Sequence, residues 1–238
     1  MSSPRVIVVT GASVGIGSAI LRQQASLGHI VVGLARRAEK IEEIKKENKD
    51  WNVHALKVDL SQEKEIVEAF NWIKTNLKKV DVLVNNAAVL IATDVLKGEM
   101  EHWRTMFDVN LFAPGICVRE VNPILAEDGH IVNISSVAGQ SIIKINDYLI
   151  YASTKHALKV VTEATRMALA QEKPKVRVTI ISPGVVATDM SVGFREAAPV
   201  EIPAVTPEDV ANSVNYVINT PYHCNVTELT VRPTSEVI

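Results

Sequence analysis

The chain has 238 residues, enough for one large α/β domain and short for two independent ones. Hydrophobic residues make up 47% and charged residues 22%, with a formal charge of -2, which predicts an ordinary soluble globular protein with a sizeable core. No Lys/Arg block stands out and no apolar run reaches bilayer length, so neither a nucleic-acid partner nor a membrane span is expected.

In chain order, short β-branched runs alternate with longer amphipathic stretches. Strands are expected at 5–10, 30–35, 52–58, 80–84, 130–135, 176–181 and 226–231, and helices near 15–27, 38–49, 62–79, 98–126, 151–172 and 206–219. The early strands are apolar nearly throughout, as parallel strands covered on both faces are. Strand–helix alternation of this kind predicts an α/β, Rossmann-type doubly wound, seven-stranded parallel sheet with helices on both faces. The last helix opens TPEDV, with a Thr N-cap, Pro at the first helical position and acids in the first turn. One irregular stretch, 184–206, breaks the pattern. At the C-terminal end of a strand it reads as a substrate lid on a single domain spanning 1–238.

Between the first strand and helix, VIVVTGASVGIGSAI places Gly11, Gly15 and Gly17 in a loop of G-x-x-x-G-x-G spacing. Glycines there let the chain turn tightly and let backbone N–H groups approach a pyrophosphate, with a helix N-terminus beyond. Dinucleotide folds usually keep an acid after the second strand for the adenosine ribose. Here Ala35 is followed by Arg36 and Arg37. A guanidinium binds a 2′-phosphate in bidentate fashion where a carboxylate repels it, so NADP(H) is favoured over NAD(H). Two solvated arginines are the plain alternative.

Further on, IYASTKHALKV sets Tyr151 and Lys155 four apart on a helix, where they share a face. A nearby ammonium pulls a phenol pKa down, towards general acid/base work. Taken alone, a surface tyrosine and a solvated lysine explain the pair as well. Cys117 and Cys224 are the only cysteines, which fits a reducing compartment without disulfides, and MSSPRVIVVTGAS runs directly into a strand without a signal-peptide pattern. A cytoplasmic protein is expected. The six histidines lack metal-ligand spacing, so no metal site is expected.

Together the motifs resemble the short-chain dehydrogenase/reductases in their single-domain form. They are Thr10-Gly11-Ala12-Ser13-x-Gly15-Ile16-Gly17, Asp59-Leu60, Asn85-Asn86-Ala87, Asn110 in FDVNLF, Ser136 ending HIVNISS, Tyr151-x-x-x-Lys155 and Pro183-Gly184-x-x-x-Thr188. The resemblance implies a catalytic set of Asn110, Ser136, Tyr151 and Lys155. Tyr151 protonates a carbonyl oxygen as hydride arrives from the nicotinamide, and Ser136 hydrogen-bonds that oxygen. Lys155 lowers the Tyr151 pKa and binds the nicotinamide ribose, while Asn110 holds a relay water. It also implies that Gly11, Ser13, Gly15, Ile16 and Gly17 cradle the cofactor, that Asp59 faces the adenine and Asn85 the adenosine ribose side, and that Leu60 and Ala87 belong to the cofactor-binding set. Pro183 and Gly184 then line the nicotinamide ring, and Thr188 anchors its carboxamide.

Three departures are visible. Ala88 stands where the family usually has Gly, the Ser136–Tyr151 segment is about two residues longer than usual, and Tyr148 offers a rival phenol. Tyr148 has Ala152 rather than Lys four residues on, so Tyr151 is preferred. Ser135 competes with Ser136, and strand alternation points the two to opposite faces. HIVVGLARR, TPEDVANSVNYVINTP and LTVRPTSEV are most similar to NADP-dependent carbonyl reductases of the dehydrogenase/reductase member 11 group, beside insect farnesol-dehydrogenase-like and bacterial 3-hydroxy-acid dehydrogenases.

The implied function is an NADP(H)-dependent oxidoreductase interconverting an alcohol with a ketone or aldehyde. Val137, Ile142, Ile143, Val185, Met190 and Phe194 suggest an apolar pocket, or plain packing, for a small apolar substrate. Arg195 in the lid is read as solvent-facing rather than as a carboxylate reader. A homodimer or homotetramer is expected. A non-catalytic NADP(H)-sensing regulator is the alternative, and an epimerase or dehydratase a third.

Overall fold

Apolar β-branched side chains on both faces of a strand are buried only where helices cover the sheet twice. The computed structural model, which describes residues 3–142, 145–196 and 201–235, places the strands in that setting. They are β1 (Val6–Thr10), β2 (Ile30–Ala35), β3 (Val53–Lys57), β4 (Val80–Asn85), β5 (Leu125–Ile134), β6 (Arg177–Pro183) and β7 (Glu228–Val231). They form one sheet in the order β3-β2-β1-β4-β5-β6-β7, with every pairing parallel. The expected Rossmann-type architecture is therefore present. The winding direction reverses between β1 and β4, and the crevice at the carboxyl ends of those strands is where such sheets bind ligands.

The helices are α1 (Gly15–Ser26), α2 (Ala38–Glu47), α3 (Glu63–Leu77), α4 (Met100–Phe107), α5 (Ala113–Val121), α6 (Leu149–Glu172), α7 (Asp189–Glu196) and α8 (Pro207–Ile218). Strand alternation splits the core in two. Ile7 and Val9 of β1 pack with Ile20, Leu21, Ile41 and Val214 on the α1, α2 and α8 side. Val8 packs with Ile66, Phe70, Ile73 and Leu169 on the α3, α5 and α6 side. Each fully buried Ile or Leu contributes about 2 kcal/mol, so both layers hold the sheet in place.

Three segments differ from the sequence expectation, the first being β5, which begins at Leu125, inside the stretch read as helix, and not at His130. The stretch read as one helix over 98–126 is helical over 100–121, but Asp108–Phe112 form a π turn between α4 and α5. Pro114 explains it: proline has no N–H to give the Asn110 carbonyl, and its ring crowds that carbonyl. The ladder accordingly shifts by one, the Ala113 N–H donating to the Asp108 carbonyl. The irregular stretch 184–206 contains a short helix, α7, and Val186 and Val205 form a parallel bridge.

After α3 the chain reverses through Lys78 at φ 70° and ψ -34°, with the Lys79 N–H bonding the Leu77 carbonyl at 2.9 Å. This is a γ-turn at a residue with a Cβ, a strained conformation. Lys78→Gly is expected to stabilise the fold by about 1 kcal/mol, raising Tm by roughly 2–4 °C in a thermal melt.

Candidate active site

The β1–α1 loop is held in a shape that side chains would spoil. Gly11 has φ +67°, and a Cβ there would lie 2.9 Å from the Ala87 Cα. A Cβ on Gly17 would come within 2.3 Å of the Gly11 carbonyl oxygen, so Gly17 lets α1 seat against its own loop. Asn86 ties the loop down, its Nδ2 donating to the Thr10 carbonyl at 2.9 Å, while the Asn86 and Ala87 amides donate to the Thr10 hydroxyl at 3.0 Å each. The N-terminus of α1 has no side-chain cap and no acid in its first turn. Its free N–H groups face an open cleft, the arrangement that binds phosphate. By contrast, α8 closes its own N-terminus with a Thr206–Asp209 capping box.

The cleft has a volume of about 650 Å³ and runs along the carboxyl ends of the strands. Gly11, Ser13, Gly15 and Ile16 line its floor. Arg36, Arg37, Asp59 and Leu60, which follow β2 and β3, line one end, Tyr151, Lys155 and Thr188 the other, and Ala87, which follows β4, lies between them. Both arginines are exposed, and neither guanidinium makes a hydrogen bond or ion pair to a described residue. Partial burial acts against the Asp59 charge, but hydrogen bonds from the Ser61 amide and hydroxyl (2.9 and 2.8 Å) and the Arg36 guanidinium outweigh it. The carboxyl is held below its usual range.

Tyr151 sits in the first turn of α6, which begins at Leu149 rather than at Tyr151 itself. Its phenol shares a hydrogen bond with Ser136, and the Lys155 Nζ lies 5.6 Å from its ring centroid. Lys155 is fully buried and donates to the Ile134 carbonyl at 3.1 Å. Burial dominates both titrations. It pushes Tyr151 up to about 12 against the opposing Ser136 bond, and Lys155 down to about 8. The expectation that Lys155 brings the phenol down is thus reversed by the chain's own groups, because desolvation costs the phenolate more than its neighbours return. The phenol is held protonated at neutral pH.

Of the two serines, Ser136 reaches Tyr151 and also accepts the Ala138 N–H at 3.1 Å, whereas the Ser135 hydroxyl turns back to the Lys155 carbonyl at 3.5 Å. Asn110 lies inside the π turn and is fully buried. Its carboxamide accepts the Val89 N–H at 2.8 Å and donates to the Val89 carbonyl at 2.9 Å and the Thr154 hydroxyl at 3.2 Å.

Several expected residues stand off the cleft wall. Asn85 is the clearest correction. It has the parity of Leu83 on β4, so its side chain turns to the α6 side of the sheet and bonds Asn133, which bonds Thr162. Gly17 is buried under the loop. Pro183 ends β6, and the Gly184 N–H is committed to the Val231 carbonyl at 2.8 Å. Of the expected apolar pocket, Met190 lines the cleft, Val137 and Val185 do not, and Ile142 is 78% exposed. Ile143 and the Phe194 side chain lie outside the described residues. Arg195 is half-buried rather than solvent-facing. Tyr148, in a single turn ahead of α6, does not line the cleft.

The family model for short chain dehydrogenases matches residues 5–199. The chain is a short-chain dehydrogenase/reductase. It is 40% identical to Dehydrogenase/reductase SDR family member 11 of Gallus gallus, over 98% of this chain and 97% of that one. It is 39% identical to Farnesol dehydrogenase of Aedes aegypti, with the same coverages. Among solved structures, the closed form of serine dehydrogenase complexed with NADP+ superposes with a TM-score of 0.88 at 31% identity, covering 98% of this chain and 96% of that one. As a member of this family the protein is an oxidoreductase that uses a nicotinamide cofactor. The glycine cradle and uncapped α1 N-terminus fit the pyrophosphate of such a cofactor. Among the described residues no helix is long and apolar enough to cross a membrane, and no cluster of His, Cys, Asp and Glu could hold a metal ion.

Asn86, Thr154 and the cleft residue Val89 were not assigned roles from sequence. Asn86 follows a residue facing away, so parity alone turns it to the loop. Thr154 is three residues from Tyr151, on the same helical face.

Proposed function

We propose that the protein is an NADP(H)-dependent oxidoreductase that interconverts an apolar ketone or aldehyde with its alcohol, Tyr151 serving as general acid/base. The observation that carries this is one cleft with a Ser136-bonded phenol above a buried ammonium at one end and two unpaired guanidiniums at the other. Bound there, the nicotinamide supplies the hydride. Tyr151 gives its phenolic proton to the substrate oxygen, and Ser136 hydrogen-bonds the same atom. Lys155 holds the ribose hydroxyls and reprotonates the phenol. The Asn110 carboxamide is already committed, so its part in a proton relay falls to its main-chain carbonyl, which Pro114 deprives of its α-helical donor.

Asp59 and Leu60 face the adenine, and Ala87 the adenosine ribose. Thr188 anchors the carboxamide, with the Pro183–Gly184 turn behind it. Arg36 and Arg37 read the 2′-phosphate. The NADP+ bound by the serine dehydrogenase neighbour supports this cofactor. Val89, Leu90, Ile91, Trp103 and Phe107 pack against the cluster that contains Tyr151, which supports an apolar substrate. Residues 184–206 act as the lid of a single catalytic domain. The free thiols, Cys117 buried and Cys224 exposed, suit a cytoplasmic setting. Val160 and Met167, 70% and 57% exposed on α6, suit burial in a homodimer or homotetramer.

The test follows reduced-nicotinamide absorbance with NADPH and with NADH against ketones and aldehydes of graded polarity. NADPH is expected to be preferred, and the Arg36→Ala/Arg37→Ala protein to raise its KM by about 10²-fold with little change for NADH. Tight NADPH binding without turnover on any carbonyl would instead identify a regulatory binding protein.

A further inference from the structure

Thr154 sits between Tyr151 and Lys155 in the first turns of α6 and is fully buried. We infer that Thr154 is a positioning residue. Its hydroxyl locks the helical turn that bears Tyr151 and Lys155 to the π turn at Asn110 and to the cleft wall at Val89. The inference rests on the oxidoreductase reading of that site.

The bonding directions follow from the donor inventory. Val89 presents a main-chain N–H and a main-chain carbonyl to Asn110, at 2.8 and 2.9 Å. Only one orientation of the carboxamide satisfies both, so its NH₂ is the group that meets Thr154, at 3.2 Å. An NH₂ cannot accept. The single hydroxyl hydrogen of Thr154 therefore goes to the Tyr151 carbonyl, 2.7 Å away. The result is one continuous chain: Val89 main chain, Asn110 carboxamide, Thr154 hydroxyl, Tyr151 main chain.

Both side chains are fully buried, so water cannot replace either partner. Val89 lines the same cleft as Tyr151 and Lys155. The Asn110 carboxamide hydrogen-bonds α6 through this hydroxyl. Without it, the helix keeps its apolar packing but loses the directional contact that sets its rotation against the π turn. A misplacement of about 1 Å in a reacting group can cost roughly 10²-fold in rate.

The experiment compares Thr154→Val, which keeps the shape and deletes the hydroxyl, with Thr154→Ser, which keeps the hydroxyl. Steady-state kinetics from pH 6 to 10 and NMR hydrogen exchange at the Val89 amide are read on the full-length protein, with Tm alongside. For Thr154→Val, kcat is expected to fall about 10–100-fold while the KM for NADPH stays within about threefold. The alkaline limb of the kcat profile moves, because the phenol and ammonium no longer share their native setting, and Val89 exchanges about tenfold faster or more. Thr154→Ser restores all of these. Loss of packing alone lowers Tm without moving the pH limb.

Native kcat, pH limb and Val89 exchange in Thr154→Val overturn the inference, as does a Thr154→Ser protein as impaired as the valine one. If the wild type turns over no carbonyl, the oxidoreductase reading fails. Val89 exchange then decides the positioning role alone, an unchanged rate overturning it. Should Thr154→Val not fold, Thr154→Ala, which adds no bulk, is read in the same way.

Discussion

Tyr151→Phe is expected to lower kcat by about 10³-fold while leaving NADPH binding within a few-fold of wild type. The phenol is the one acid in the cleft whose proton is both held and usable. Burial keeps it protonated, with a pKa pushed up to about 12, and Ser136 favours the anion left behind by hydrogen-bonding it. Phenylalanine preserves the ring packing against Met106, Ala138 and Ile150 and deletes only the oxygen. Its cost to stability is therefore small, about 1 kcal/mol for the lost bond to Ser136. NADPH affinity is read by quenching of tryptophan fluorescence and kcat by absorbance, so binding and chemistry separate. A mutant within tenfold of wild-type kcat would show that the proton comes from elsewhere and remove Tyr151 from its assigned role.

Strand and helix placement were legible because the alternation is strong. Sequence limits of 30–35 for β2 and 15–27 for α1 compare with Ile30–Ala35 and Gly15–Ser26 in the structure. What escaped was set by tertiary context. The π turn depends on one proline interrupting an amphipathic pattern that otherwise continues, and α7 is a short helix inside a segment whose Gly and Pro content reads as irregular. The Asn85 side chain went to the wrong face because the motif names a residue without its parity, although Leu83 and Asn85 share a face by simple counting. The Tyr151–Lys155 pair was placed correctly by i,i+4 spacing, but its electrostatics were not, since burial is invisible in a four-residue spacing. Arg36 and Arg37 are found where the end of the second strand predicts them, both on the cleft and both unpaired among the described residues.

Lys155→Met should make the protein both more stable and nearly inactive. Lys155 is a fully buried ammonium with one hydrogen bond, to the Ile134 carbonyl, and no carboxylate partner among the described residues. Burial lowers its pKa from 10.5 to about 8, so charging it in the folded state costs about 3 kcal/mol more than in the unfolded chain. The unfolded chain binds the extra proton between pH 8 and 10.5. Native stability therefore rises with pH through that window and carries the full penalty below it. Methionine has a similar length and no charge. After loss of the Ile134 bond, worth about 1 kcal/mol, the gain near pH 7 is about 2 kcal/mol, or roughly 4–8 °C in Tm. The gain should shrink between pH 8 and 10.5, which thermal melts across pH will show. Over the same range kcat/KM for NADPH should fall by about 10²-fold or more, since the ribose contact and the group that recharges Tyr151 leave together. A destabilised Lys155→Met protein at pH 7 would mean that the ammonium has a compensating partner in the fold. A stable protein with native kcat/KM would mean that Lys155 only packs. Stability gained where activity is lost is the signature of a charge kept buried for chemistry.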